Sequence, residues 1–370
     1  LEAGEDVVED LESILDECAA SGFRRLALRW HYRSRHESLI AFSNFRYYDN
    51  ALLTFPAPSE RGAGHGVSLV EVAGVYDRSR SRTNRIEAES VVADLLARLR
   101  AIDDPSRAPS FGIVTFSRPQ LDLVLDLLER ARRDDPALEP FFSDAREEPV
   151  FVKNLENVQG DERDVVILSI CYGHDAHGKM LMNFGPINKA GGEKRLNVVF
   201  SRAKHHMVVV SSITAPSITN DYNDGASALK TYLAYAEATS RGDGAHAMQL
   251  LAGLSARSGA PVSPHDAVAT QVAAALESSG YEVDRGLGQS TFRVDLGVRR
   301  KGERTYALAV MIDTERFHTE GTALERYLLR PAILKAFGWK LALVLGKEWW
   351  EDSAAVLARL IDQLERPDPP

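Results

Sequence analysis

Apolar positions recur along this chain with two periods, and the changes between them mark the elements. "FGIVTF" (Phe111–Phe116) and Val165–Cys171 are nearly unbroken apolar runs, the pattern of strands buried on both faces. "VSLVEV" (Val67–Val72), Met207–Ser211 and a short run at Arg24–Arg29 also read as strands. Between them the apolar spacing becomes helical, over Arg35–Asn44, Asn84–Leu99, Leu121–Ala131, Glu193–Lys204 and Ala226–Thr239. Asn84 with Glu87, and Ser117 with Gln120, have the spacing of helix N-caps. Thr54–Gly66, rich in Pro and Gly, reads as loop, and Leu1–Asp16 as an acidic helix. Strands alternating with helices predict an α/β fold, a mostly parallel sheet covered on both faces.

A second αβ region follows a stretch of Gly, Ser, Ala and Pro. Its pattern predicts helices at Asp266–Ser278 and Thr322–Phe337 and a closing helix. Strands fall near Tyr281–Asp284, Phe292–Val298, Thr305–Asp313 and Lys340–Leu345. The expected division is a first domain over residues 1–240, a linker over 241–263 and a smaller domain over 264–370.

Length and charge narrow the classes. A chain of 370 residues suggests two or three domains, and 44% hydrophobic residues is a globular level. No apolar run reaches the roughly 18–20 residues of a membrane helix, so no membrane partner is expected. The 2 cysteines argue against a disulfide framework and for a reducing, cytoplasmic setting. Net charge is −9, so nucleic acid would have to be held by local basic groups. The chain opens on Leu1 without a signal-peptide pattern, and is expected to be a piece of a longer protein.

Three polar clusters fall at strand–helix junctions: "HYRSRHESLIAFSN" from His31, "NVQGDERDVV" from Asn157 and "RLNVVFSRAKHH" from Arg195. Each joins Arg to Gln, Asn or Glu. Arg suits bidentate contact with phosphate, a carboxylate suits a ribose hydroxyl, and Gly160 allows close approach of backbone to a ligand. In open α/β sheets such groups are expected beyond the carboxyl ends of strands.

The order "YRS", "TFS" with Gln120, "QGDERDVV" and "LNVVFSRAK" resembles the second RecA-like domain of superfamily 1 DNA and RNA helicases, over about Gly22–Ser212. That resemblance implies a half-site for ATP and Mg²⁺. Tyr32 would stack on the base, Gln159, Gly160 and Glu162 would face nucleotide with Glu162 on the ribose, Arg33 would meet the γ-phosphate, and Arg202 would be the arginine finger. Lys153 and Asn154 would touch the nucleic-acid backbone. Ser117 and Gln120 are either strand contacts or helix caps only. The chain has no GxxxxGK[ST] loop, and Gly62–Gly66 lacks the Lys and the Ser/Thr. The phosphate cradle and Mg²⁺ ligands are therefore expected in an N-terminal RecA-like domain of the same protein, and no tightly bound cofactor is expected on this piece alone.

"FRVDLGV", "YALAVMID" and "LKAFGWKLALVLGKEWW" resemble the restriction-endonuclease-like domain related to very-short-patch-repair nucleases, over about Pro264–Asp362. That family implies clustered carboxylates around Mg²⁺. Asp295 and Asp313 are the candidate metal ligands, with surface ion pairs as the other reading of both. Met311 stands where relatives carry Glu, so the site is expected to be degenerate. Three functions compete: an ATP-dependent helicase or translocase on single-stranded or duplex DNA (RNA possible) with a non-cutting tail, a non-enzymatic DNA- or protein-binding module, and a metal-dependent endonuclease delivered by a motor.

Overall fold

The computed structural model describes residues 14–59, 64–255, 266–319 and 321–366. Most of the expected N-terminal acidic helix, part of the glycine-rich loop and residues 256–263 of the expected linker lie outside them. Within the described part of the first, Ile14–Ala20 is helical.

The first sheet has five parallel strands, β1 (Gly66–Glu71), β2 (Phe111–Thr115), β3 (Phe151–Asn154), β4 (Arg163–Ser169) and β5 (Ala203–Ser211), in the order β1-β5-β4-β2-β3. All five residues of β2 are buried, as an apolar run with no polar face requires. Helices Arg85–Arg100 and Arg118–Asp134 pack on one face, burying Val91, Leu95, Val124 and Leu128. Helices Ser38–Tyr47, Gly192–Phe200 and Asp224–Ser240 cover the other, where the Phe200 and Tyr232 rings stack at 3.5 Å. Asn84 and Ser117 cap their helices by accepting from the N–H of Glu87 and Gln120.

Three expectations need correction. Arg24–Arg29 is not a strand: it has no ladder partner, and Leu26 and Leu28 face solvent. Phe151–Asn154, where no strand is expected, is the edge strand β3, paired in parallel with β2. An edge strand has one neighbour and tolerates polar positions, so its apolar signal is weak. Within 241–263, Gly244–Ala252 is a helix that buries Ala247 and Leu251 in the first core. Gly and Ala hid it: Gly244 follows the capping Asp243, and small residues pack closely.

The second sheet contains β6 (Tyr281–Leu287), β7 (Val294–Arg300), β8 (Leu308–Ile312) and β9 (Leu341–Val344) in sequence order. Its first two pairings are antiparallel and β8–β9 is parallel. Helices Ala267–Ser278 and Ser353–Glu365 cover one face. The other face is partly covered by the first region: Phe55 is buried among Phe292, Trp339 and Leu334. Burying such a ring is worth about 1.5–3 kcal/mol. The fold class is thus α/β in both parts, a parallel sheet with helices and a smaller mixed sheet.

Candidate functional site

Parallel strands in register begin together, and this assembles the site. Arg163 on β4 pairs with Ala203 on β5, so the residues just before them, Glu162 and Arg202, lie side by side. The loop before Ser38 brings a third group: Arg33 Nε lies 2.6 Å from Glu162 Oε2. Arg35 N–H donates to Lys204 O at 2.7 Å and fixes that loop against β5. Arg202 donates from Nε to Val198 O at 2.8 Å and from its other nitrogens to Asp161 O and Ser201 Oγ, both at 3.4 Å. Burial, and then the charge of Arg33, lower the Arg202 pKa. His31 beneath the pair is pushed down to about 4, by burial first and then by Arg33 and Arg202, so it is neutral near pH 7. Gly160 opens the loop with φ +91°, a conformation that disfavours a side chain. Gln159 and Tyr32 are exposed, Tyr32 to 59%.

The site therefore forms at the amino ends of β4 and β5, not beyond the carboxyl ends. The expected rule describes where turns open above a single sheet. Here the polar loops precede their strands, so they gather at the other edge. Lys204 also belongs to this cluster: its Nζ is 2.9 Å from Glu148 and 3.8 Å from Glu162. It stood within "FSRAK" in the sequence, but nothing distinguished it from a surface lysine.

The expected nucleic-acid contacts fare unequally. Lys153 is ion-paired with Asp161 and leans on the Phe151 ring. Asn154 is buried, and its Oδ1 accepts from Asn157 N–H at 3.1 Å, so it shapes a turn. Gln120 is completely buried. Its Oε1 accepts from Asn84 N–H at 2.9 Å, and its Nε2 donates to Asn84 O and Ser169 Oγ at 3.0 and 3.2 Å. An amide so occupied has nothing to offer a strand, and Gln120 is a structural residue. Ser117 caps its helix and also lines a cavity of about 390 Å³ with Arg78, Arg82 and Lys179. These three cations went unnoticed because they are scattered in sequence.

In the terminal domain the two candidate metal ligands are engaged elsewhere. Asp295 Oδ1 accepts from Arg316 at 3.0 Å and its Oδ2 from Ile312 N–H at 2.8 Å. Burial raises Asp295 to about 6, against the opposing hydrogen bonds and the Arg316 charge. Asp313 Oδ1 accepts from Gly346 N–H. Met311 lines an apolar cavity with Phe317, Tyr327 and Leu334. The Arg316 guanidinium competes with a cation for Asp295, and no third ligand joins the two carboxylates among the described residues, so this arrangement does not fit Mg²⁺. Among the described residues, no three His, Cys, Asp or Glu side chains gather as metal ligands, and no helix is long and apolar enough to cross a membrane.

The first domain is a parallel α/β sheet with arginines gathered at one edge. The chain belongs to the AAA domain family AAA_12, whose model matches residues 11–214, more than half of it. The restriction-endonuclease-like family REase_MTES_1575 matches residues 269–364. The chain is 35% identical over 229 residues to "Uncharacterized ATP-dependent helicase MG140" of Mycoplasma genitalium, covering 59% of this chain and 19% of that protein. It is 29% identical over 350 residues to the MG140 homolog of Mycoplasma pneumoniae, covering 90% of this chain and 29% of that protein. The chain thus spans less than a third of the length of these relatives. A crystal structure of the C-terminal domain of a possible DNA helicase from Lactobacillus plantarum WCFS1 aligns with 49% of this chain and 86% of its own, at 16% identity and a TM-score of 0.27. That score is too low to bear on this chain.

Proposed function

We propose that this chain supplies one face of an ATP site and part of a nucleic-acid track in a longer ATP-dependent helicase or translocase acting on DNA. The other face would come from an N-terminal RecA-like domain of the same protein. The observation that carries this reading is the pair of guanidinium groups at one sheet edge. Arg33 and Arg202 act on each other unfavourably, and Glu162 is ion-paired with Arg33. An anion placed there would relieve the strain in charge, and a phosphate chain is such an anion. Arg33 would hold the γ-phosphate and Arg202 would stabilise charge developing on the transferred phosphoryl group. Glu162 would turn to the ribose, Gln159 and Gly160 would line the nucleotide, and Tyr32 would stack on the base. Mg²⁺, when bound, neutralises phosphate charge, and its ligands would lie on the partner domain. Ser117 and Lys153 would line the track, and RNA remains a substrate to compare with DNA. The terminal domain serves binding or shape, because Arg316 occupies the carboxylate a metal would need.

The test is the DNA-stimulated ATPase of the longer protein. Arg202→Ala should lower kcat by about 10³-fold or more and leave DNA affinity nearly unchanged. Unchanged turnover removes Arg202 from the site.

A further inference from the structure

Arg33 is held in place by the terminal domain as well as by its own sheet. The backbone leading into it is paired with a later segment: His31 N–H donates to Leu53 O at 2.9 Å and Leu53 N–H to Arg29 O at 2.6 Å. That segment continues onto the second sheet. Thr54 N–H donates to Ser290 Oγ at 3.0 Å, Trp339 Nε1 donates to Pro56 O at 2.8 Å, and Tyr306 N–H donates to Pro58 O at 2.8 Å. Phe55 seats its ring 5.0 Å from that of Phe292 and 5.6 Å from that of Trp30. Two side chains on the other flank of Arg33 make a second attachment. The Arg35 guanidinium donates to Ala336 O at 3.0 Å and lies 4.8 Å from the centre of the Phe337 ring. The Glu37 carboxylate accepts from Gln289 N–H at 3.0 and 3.1 Å. The Arg33 loop is therefore tied to the terminal domain directly through Arg35 and Glu37 on one flank, and through the 53–58 segment on the other.

We infer that the restriction-endonuclease-like domain is a positioning element for the ATP site, with Arg35 and Trp339 as positioning residues that set Arg33 through the 29–59 segment. This rests on the reading of Arg33 as a phosphate contact. Small displacements at such a group cost rate steeply, so a domain without its own chemistry would still govern turnover.

The experiment uses Arg33→Ala, Arg35→Ala, Arg35→Lys and Trp339→Phe in the longer protein, with circular dichroism to verify folding. Trp339→Phe keeps a ring in the core, removes the bond to Pro56 and trims the indole that stacks on Tyr306. Arg35→Ala and Trp339→Phe should lower kcat for ATP by about 10- to 100-fold, with KM and DNA affinity close to the parent. Arg35→Lys should recover part of the loss. In the chain described here, the same substitutions should speed hydrogen–deuterium exchange in the peptide over residues 29–37. A silent Arg33→Ala defeats the ATP-site reading itself. If Arg33→Ala impairs turnover while the positioning variants change neither kcat nor exchange, this inference alone fails. A loss of turnover with unchanged exchange also overturns it, because Arg35 would then act directly.

Discussion

Glu87 is a completely buried carboxyl group beneath the carboxyl ends of β4 and β5. Its Oε1 accepts from Ser169 Oγ at 2.8 Å and from Cys171 N–H, and its Oε2 from Ser212 Oγ at 3.2 Å. Burial outweighs these bonds and raises its pKa from 4.5 to about 7. The sign follows from proton counting. Between pH 4.5 and 7 the unfolded chain has released this proton and the folded chain still holds it. Stability from this group is full below about pH 4.5 and is lost as pH rises through about 7. At about 1.4 kcal/mol per pH unit the loss is about 3 kcal/mol.

Glu87→Gln removes the titration and keeps a carbonyl for the Cys171 N–H, while its amide can donate to Ser212 Oγ. Urea unfolding followed by circular dichroism at pH 4.5 and 7.5 measures the difference. The parent should lose about 3 kcal/mol relative to the Gln variant across that interval. Other groups titrate too. His31 and His206 are each lowered from 6.5 to about 4 and give stability that rises through that range, and Asp295 is raised from 3.8 to about 6. They are common to both proteins and cancel in the difference. A difference that stays flat with pH would refute the assignment of a protonated, buried Glu87.

This chain alone should hydrolyse no ATP, since its sequence holds no GxxxxGK[ST] loop; turnover above a heat-inactivated control, free of contaminating ATPase, contradicts this. Binding of single-stranded DNA should be weak and salt-dependent, and Lys153→Ala should reduce the logarithmic salt slope by about 0.7; a fluorescence-anisotropy titration with an unaltered slope takes Lys153 off the track. The terminal domain should not nick plasmid with Mg²⁺ or Mn²⁺, because Arg316 competes with a cation for Asp295 and no third ligand gathers there among the described residues; nicking that disappears in Asp295→Ala overturns that expectation.

The sequence was most legible where one residue type had one use. The short, β-branched apolar run Phe111–Phe116 formed a buried strand, and caps such as Asn84 and Ser117 formed as their spacing requires. The arginine cluster was legible as a set of motifs, but not as a place, because which loops meet at that edge is decided by the order of the strands in the sheet. Gln120 and Asn154 show the limit from the other side. Amides serve a ligand and a turn with the same atoms, and only burial tells which. Glu87 was read as half of a cap. Its burial depends on Ser169, Cys171 and Ser212, which arrive from two distant strands.

The boundary between the two domains illustrates the same point in mechanical terms. Composition places it after Ser240, where Gly, Ser and Ala accumulate, yet the contact between the sheets is made by residues 29–59, far upstream. Phe55 and Pro56 lie in Thr54–Gly66, which its Pro and Gly content marks as loop, and Trp30 stands between the expected strand and helix upstream. Their partners, Phe292, Trp339 and Tyr306, lie more than 200 positions later. Neither half shows an unpaired apolar period that would call for the other, because each contributes only a few aromatic side chains to the shared core. The consequence is a terminal domain fastened at the flanks of the arginine loop by contacts that do not run through the connecting chain.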